Sequence, residues 1–333
     1  MILVKYKRKV NDFTPYFYFA LEKYIAENLL FDNKDFFFLW QIKGIVFGKN
    51  QIIENEINLD FVQKNNINFF RRPTGGGCVY NDLNTPLFSI ITPFENKNFS
   101  FKKYLIKIIE AFRYLGIELY FSGRNDILYE GKKVSGNSFL KHKNNIIMHG
   151  TILYDCDINT MMRCITPSDE KLVSKGINSI RSRVTNLKQY LNGMTQNELV
   201  LFLTQYLKTQ EYDLSDQEII QIEKMSHEYA TPKWLYFEHP AYTKKLKKRF
   251  EWGTIEILLS LKKGKIEQMF LTGDFFHKED NLEQFTNHFL GIFYNKKSLE
   301  HILNQINIGD YILDANNKDF LALLEGGILY KDL

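Results

Sequence analysis

Apolar residues along the chain switch between helical and strand spacing. Over residues 14–29 they recur at Phe17, Leu21, Tyr24, Ile25 and Leu29, one face of a helix. Residues 35–42 and 45–48, rich in aromatic and branched side chains, read as paired strands, followed by a polar-faced helix over 53–65. Strand patterns return at 67–70, 78–82 and 87–92. A stronger helical stripe (Tyr104, Leu105, Ile108, Phe112, Leu115) runs over 101–115. Segments 117–121, 126–130, 133–138 and 146–153 read as further strands, with turns at Glu130-Gly131 and Asn144-Asn145. Successive hairpins with helices laid against them predict an α+β fold: a mostly antiparallel sheet flanked by helices.

Beyond Asp157 the pattern is helical, with a loop at 171–183 and helices over 196–207 and 215–225. A basic run, Lys244-Lys245-Leu246-Lys247-Lys248-Arg249, then precedes a strand of alternating character at 254–261 that turns at Lys263-Gly264. Helices are expected at 282–290 and 299–306. The basic run reads as a solvated linker, or as a surface attracting an acidic partner. The expected division is a domain over 1–246 and a small α/β domain over 250–333, with no internal repeat.

Composition narrows the function classes little. The chain has 333 residues, 44% hydrophobic and 25% charged, enough for one large or two modest domains. A net charge of +4 does not argue for nucleic acid. Cys78, Cys156 and Cys164 form no paired motif, so neither a zinc site nor a disulfide scaffold is indicated, and a reducing compartment fits. The opening residues, apolar first and basic after, are the reverse of a secretory signal. The greasiest stretch, 36–47, is too short and too interrupted to cross a bilayer. A cytoplasmic protein is expected.

The densest chemistry lies in Arg71-Arg72-Pro73-Thr74-Gly75-Gly76-Gly77-Cys78-Val79-Tyr80-Asn81-Asp82. Three consecutive glycines supply no packing surface but let a ligand approach backbone N–H groups, and two guanidiniums nearby suit an anion. A plain glycine hairpin with surface arginines reads equally well. No Gly-Lys-Ser/Thr closes the loop, so it is not a Walker-type motif. Singly, Lys133 reads as a solvated strand residue, Asp126 as a turn cap and His149 as a core histidine. Their co-occurrence at strand ends with Gly-rich segments suggests one cleft.

Together these segments resemble the lipoate–protein ligase A family. The resemblance is carried by residues 71–80, by Gly123-Arg124-Asn125-Asp126 and by Gly131-Lys132-Lys133-Val134-Ser135-Gly136. His149-Gly150-Thr151, residues 175–187, Phe47-Gly48-Lys49-Asn50-Gln51 and Leu21-Glu22-Lys23-Tyr24 add to it. The motifs run in family order from residue 12 to about 190, and the tail after Trp252 resembles the family's accessory domain. This implies a catalytic domain of the biotin/lipoyl-ligase type, related to class II aminoacyl-tRNA synthetases. Lipoate and ATP with Mg²⁺ would give lipoyl-AMP, and the lipoyl group would pass to a lysine of an acidic carrier. The carrier would be a glycine-cleavage H protein or the lipoyl domain of a 2-oxoacid dehydrogenase, and the ligase a monomer with no nucleic-acid or membrane partner.

By the same resemblance Lys133 is the catalytic lysine, and Lys133, Gly77 and His149 face lipoate. The adenylate would lie against Arg72, Thr74, Gly75, Gly76, Gly77, Cys78, Val79 and Tyr80. Asn125, Asp126, Ser135, Gly136, His149, Gly150, Thr151 and Arg183 complete that set, with Asp126 and Asn125 offering oxygens to phosphate-bound magnesium. Residues 171–183 would close over the adenylate. Asn81 and Asn84-Thr85 depart from the family's usual His and Gly-Asn. Cys78 stands where alanine is frequent, which keeps open a thioester-forming acyltransferase. A non-catalytic carrier-binding module is the remaining alternative.

Overall fold

A computed structural model of the chain describes residues 1–7, 14–29, 34–94, 101–122, 125–165, 183–236, 242–278 and 281–328, apart from the side chains of 54, 55 and 101–104. Gly123, Arg124 and the expected loop at 171–182 lie outside these residues. The strands are β1 (Ile2–Lys5), β2 (Phe36–Trp40), β3 (Gly44–Phe47), β4 (Phe69–Arg71), β5 (Val79–Asn81), β6 (Leu87–Pro93) and β7 (Tyr120–Ser122). They continue with β8 (Asp126–Tyr129), β9 (Lys132–His142), β10 (Asn145–Thr151), β11 (Gln210–Asp213), β12 (Lys244–Phe250), β13 (Gly253–Lys262) and β14 (Lys265–Gly273).

Eight strands form the main sheet in the order β11-β1-β2-β6-β10-β9-β8-β7. β1 runs parallel to β2 and β11, and the other neighbours pair antiparallel. Both faces are apolar because both are covered. Phe37, Phe88, Ile90, Phe139, Ile146 and Met148 pack with Leu105, Ile108 and Phe112 of the helix Phe101–Tyr114 and Leu199, Leu203 and Leu207 of the helix Gln196–Leu207. On the other face Phe36, Phe38, Ile91, Leu140 and Ile147 meet Phe17, Leu21 and Ile25 of the helix Tyr16–Asn28. Capping boxes at Thr195/Glu198 and Ser215/Glu218 start the helices Gln196–Leu207 and Asp216–Ser226 where the pattern places them.

Along that second face the register aligns Phe38, Ser89, His149 and Ser138 in one row across four strands. Here the apolar surface gives way to polar side chains. A second sheet, in the order β4-β3-β5, contributes the loop that faces this row.

Three expectations are corrected. β2 and β3 do not pair, because β2 has β1 and β6 on its two sides and β3 joins the second sheet. Residues 53–65 hold two short helices, Ile53–Glu56 and Leu59–Lys64, since Ile57 is extended and Asn58 caps the second by accepting from the Phe61 N–H. The basic run is not a linker, although its Lys245, Lys247, Lys248 and Arg249 are exposed. It is β12, the edge of a β12-β13-β14 sheet, so the chain enters its C-terminal unit before Lys244.

In that unit Glu256, 4% exposed, takes Lys247 at 2.8 Å and Lys245 at 3.0 Å. Lys244 donates to the Gly327 carbonyl, and Arg249 lies 3.7 Å from Asp274. The core gathers Trp252, Phe275, Phe285, Phe289 and Phe320 beneath the helices Leu282–Asn287, Lys296–Leu303 and Asn317–Glu325. No helix among the described residues is long and apolar enough to cross a membrane.

Burial pushes the Glu256 carboxyl up, but Lys247 and Lys245 outweigh it and hold the group below its usual value. A depressed carboxyl contributes stability that is full above its unfolded-state value and is lost as pH falls through the folded one. Glu256→Gln should therefore cost about 1–3 kcal/mol at neutral pH, with urea midpoints of variant and parent converging in acid. Equal separation of the midpoints at all pH values would contradict the pairing.

Candidate active site

The loop after β4 and the polar row of the main sheet enclose a cleft of about 550 Å³, part of it open to solvent. One end is apolar, lined by Phe19, Trp40, Val46, Val79 and Leu87. The other carries Asn125, Lys133 and Gly136, and Arg72 borders the cleft beside Val46. His149, Gly150 and Thr151 form part of the wall between. Such a shape suits an extended acyl chain with a polar head.

Lys133 reaches the cleft through a bulge. Ile127 pairs with Ser135 and Leu128 with Lys133, leaving Val134 as the extra residue of β9, its side chain buried in the core. The Lys133 amide donates to the Arg183 carbonyl (2.7 Å) and its carbonyl accepts from the Thr185 N–H (3.1 Å). Its ammonium lies 2.8 Å from Asp126 Oδ1, with the side chain one-third exposed (33%). The stem crosses Gly136, where a Cβ would stand 2.8 Å from Nζ.

The two arginines take different parts. Arg71, expected as a second cation for an anion, is buried and donates to the carbonyls of Gly48, Lys49, Gln51 and Leu235. Arg72 is also buried, but it borders the cleft. Its Nε donates to Thr74 Oγ1 (2.9 Å), and its terminal nitrogens donate to the carbonyls of Val46, Gly75 and Gly77. Burial lowers the Arg72 guanidinium to about 10, against the upward pull of Cys78 and Glu56.

The three glycines also divide. Gly76 has a φ of +85°, and its N–H donates to the Phe275 carbonyl (3.2 Å) of the C-terminal unit. A Cβ there would stand 2.8 Å from the Phe276 ring, which packs 5.7 Å from that of Phe139. Gly75 approaches the Phe275 carbonyl as closely. Only Gly77 of the three lines the cleft. The loop expected to present its N–H groups to a ligand is thus seated against the second unit over part of its length.

Of the remaining expected residues, some border this centre and others do not. Asn125 and Asn137 clasp each other, each amide donating to the other's carbonyl at 2.6 and 2.9 Å. Ser135 is buried with its hydroxyl toward Asn137 (3.4 Å), and the Gly136 N–H donates to Thr151 Oγ1 (3.3 Å). Gly150 is packing space, since a Cβ would meet Asn137 Oδ1 at 2.1 Å and the Phe88 ring at 2.5 Å. Tyr80 packs behind the loop with Ile45 and Phe47, away from the cleft, its phenol pushed up by burial. Arg183 contributes its carbonyl while its side chain is exposed. Burial, then Glu56, push the Cys78 thiol well above its ordinary value, the opposite of what a nucleophile needs.

Sequence reasoning missed Phe19, Trp40, Asn137 and Ser138 as wall residues. Phe19 lies off the stripe of its helix and Trp40 within a strand-like run, and neither was singled out. The polar pair Asn137-Ser138 inside a strand otherwise bound for the core was the one available signal.

Comparison with known proteins follows this geometry. The family description "Lipoyl protein ligase A/B catalytic domain" matches residues 14–208, and "Bacterial lipoate protein ligase C-terminus" matches 239–324. The chain is 34% identical over 327 residues to the lipoate-protein ligase LplJ of Bacillus subtilis, covering 95% of this chain and 98% of that one. Among solved structures, lipoate-bound LipL1 of P. falciparum is similar with a TM-score of 0.74 at 23% identity, covering 98% of each chain. A bipartite lipoate protein ligase from Thermoplasma acidophilum, solved with its E2 lipoyl domain, gives 0.61 at 21% identity over 73% of this chain and 98% of that one. An ATP-bound lipoate-protein ligase A gives 0.58 at 20% over 70% and 96%. The structural likenesses speak to the fold alone, whereas the family matches and the Bacillus relative span nearly the whole sequence. The chain belongs to the lipoate–protein ligase family and is an enzyme, a ligase, of that family.

Proposed function

We propose that this ligase activates lipoate with ATP to lipoyl-AMP and transfers the lipoyl group to a lysine of a carrier protein. The observation that carries the reading is Lys133, an ammonium held over Gly136 at the polar end of a cleft whose other end is apolar. Lipoate fits with its chain among Phe19, Trp40 and Leu87 and its carboxylate toward Lys133.

In the first half-reaction a carboxylate oxygen bonds to the α-phosphorus, the bond to the β-phosphate oxygen breaks, and pyrophosphate leaves. Two anions must approach, so fixed positive charge is the principal requirement. Lys133 meets it, once the nucleotide competes with Asp126 for the ammonium. In the second half-reaction the carrier's neutral lysine amine bonds to the acyl carbon, the acyl–phosphate bond breaks, AMP leaves and the amine proton passes to solvent. Lys133 then stabilises the acyl oxygen as charge develops there.

Magnesium, when bound, would screen the phosphate charge. Among the described residues no group of three or more His, Cys, Asp or Glu side chains is placed to hold an ion. That fits one carried on the triphosphate, for which a single carboxylate suffices. Asp126 supplies that carboxylate. Asn125 would offer its Oδ1, because the bond to the Asn137 carbonyl engages only its amide nitrogen.

The thioester alternative loses its support with the raised Cys78 thiol. The carrier is read as an acidic lipoyl domain or H protein; of the basic run, Lys245 and Lys247 pair with Glu256 while Lys248 and Arg249 stay exposed beside them. We read the unit from β12 onward as an accessory domain supporting adenylation, through the seat of Phe275 and Phe276 on Gly75 and Gly76.

Lys133→Ala should lower pyrophosphate release and acyl transfer by roughly 10²–10³ with the fold intact. Lys133→Arg should not restore them, since a planar fork does not replace a compact ammonium. Near-normal pyrophosphate release from Lys133→Ala would sink the assignment. Gly136→Ala should displace the ammonium rather than the backbone, lowering kcat by about 10²-fold with an unchanged urea midpoint. If activity survives, the groove over Gly136 is unimportant. Phe276→Leu should slow adenylation more than transfer from lipoyl-AMP supplied ready-made, and equal slowing of both would refute the division of labour.

A further inference from the structure

Behind the cleft wall lies a buried carboxylate that the chemistry above does not use. Glu22, on the helix Tyr16–Asn28, is fully buried, and its Oε1 takes the Ser89 hydroxyl at 2.5 Å and His149 Nδ1 at 3.0 Å. Ser89 in turn accepts from Trp40 Nε1 (2.9 Å). On the far side of the imidazole, His149 Nε2 lies 3.1 Å from Thr74 Oγ1. Thr74 Oγ1 also receives Arg72 Nε at 2.9 Å and faces Ser138 Oγ at 2.8 Å, and Ser138 reaches the Gly75 carbonyl at 2.7 Å. A single polar chain therefore runs from the core helix, through one row of the sheet, to the glycine loop.

Donor and acceptor inventory fixes its direction. A hydroxyl has one proton and two lone pairs. Ser89 gives its proton to Glu22, so the carboxylate needs a further donor at His149 Nδ1. With Nδ1 protonated, Nε2 presents a lone pair and accepts the Thr74 proton. The Thr74 oxygen is then free to accept from Arg72 and from Ser138, whose single proton serves either Thr74 or the Gly75 carbonyl, while Glu22 Oε2 is left without a hydrogen-bond partner. The opposite tautomer would set a ring lone pair against a carboxylate in a place closed to water, which is costly.

We propose that Glu22 sets the Nδ1–H tautomer of His149 and, through Thr74, holds Arg72 and the Gly75 carbonyl in the arrangement that adenylation needs. Glu22 and His149 are positioning residues. Both ring nitrogens of His149 are spent inside the chain, so it offers the cleft its ring and not a base. The kinetic consequence rests on the ligase reading, whereas the tautomer does not.

The test uses the full chain labelled with ¹⁵N-histidine, together with Glu22→Gln and Thr74→Val. The unaltered protein should show His149 with a protonated Nδ1 and a bare Nε2. In Glu22→Gln the oxygen that accepts from Ser89 and from Nδ1 is neutral rather than charged, which weakens its hold on the Nδ1 proton. There kcat for pyrophosphate release should fall about 10–100-fold while KM for lipoate stays within about threefold. Thr74→Val should lose kcat to a similar extent while keeping the proton on Nδ1, which preserves the test if Glu22→Gln does not fold. A protonated Nε2 in the unaltered protein, or full kcat in both variants, would overturn the proposal. An unaltered chain that releases no pyrophosphate from ATP and lipoate would overturn the ligase reading instead, and the ring proton would still decide this one.

Discussion

A cation that scarcely meets solvent holds the glycine loop. Arg72 donates to the carbonyls of Val46, Gly75 and Gly77 and to the Thr74 hydroxyl, so a sharp reversal with several inward-facing carbonyls is satisfied from its centre. Buried carbonyls without donors would be costly, and so would a buried guanidinium without acceptors. Each removes the other's penalty. The consequences reach across the molecule: the reversal carries the chain from β4 towards β5, brings Gly77 to the cleft, and turns Gly75 and Gly76 outward to Phe275 and Phe276. The second unit is thereby joined to the same loop that borders the chemistry.

Where the cleft lies follows from the sheet. On the face covered by the helix Tyr16–Asn28, aromatic and branched residues pack until the row of Ser89, His149 and Ser138, beyond which the second sheet stands over the strands. Past that row Trp40 and Leu87, on β2 and β6, make one side of the cleft apolar, and Gly136 with Lys133, on β9, makes the other polar. The bulge at Val134 then does two things with one extra residue. It keeps Val134 in the core and brings Lys133 across Gly136 into the cleft. Regular pairing alternates strictly between faces, so a one-residue change decides which side chains see the ligand.

Much of this was legible beforehand. The helices with strong stripes, the β13–β14 turn at Lys263-Gly264 and the α+β class all follow from local periodicity, which depends only on neighbours in the chain. Lys133, Arg72, Asn125 and Gly136 were identified by their motifs and do meet at one cleft. The strands β1 and β11 were not anticipated, because each is four residues long at a parallel edge and draws its order from partners some two hundred residues away. The basic run misled for a related reason. Its lysines at 245 and 247 are exposed as a linker's would be, but they sit on a strand and pair with Glu256, buried on the neighbouring one.

The sequence by itself determined most of the helices and strands of the larger unit and, through its motifs, the family to which they point. Local spacing and residue chemistry suffice for that. Tertiary structure alone decided that Arg71 braces the scaffold while Arg72 borders the cleft, that Gly76 receives the second unit while Gly77 lines the cleft, and that Glu22 stands behind His149. Adjacent residues of the same type carry the same local information. Their roles separate only when the register of the sheet and the packing of distant segments assign each side chain its own surroundings, and with them its hydrogen-bond partners and the cost of its charge.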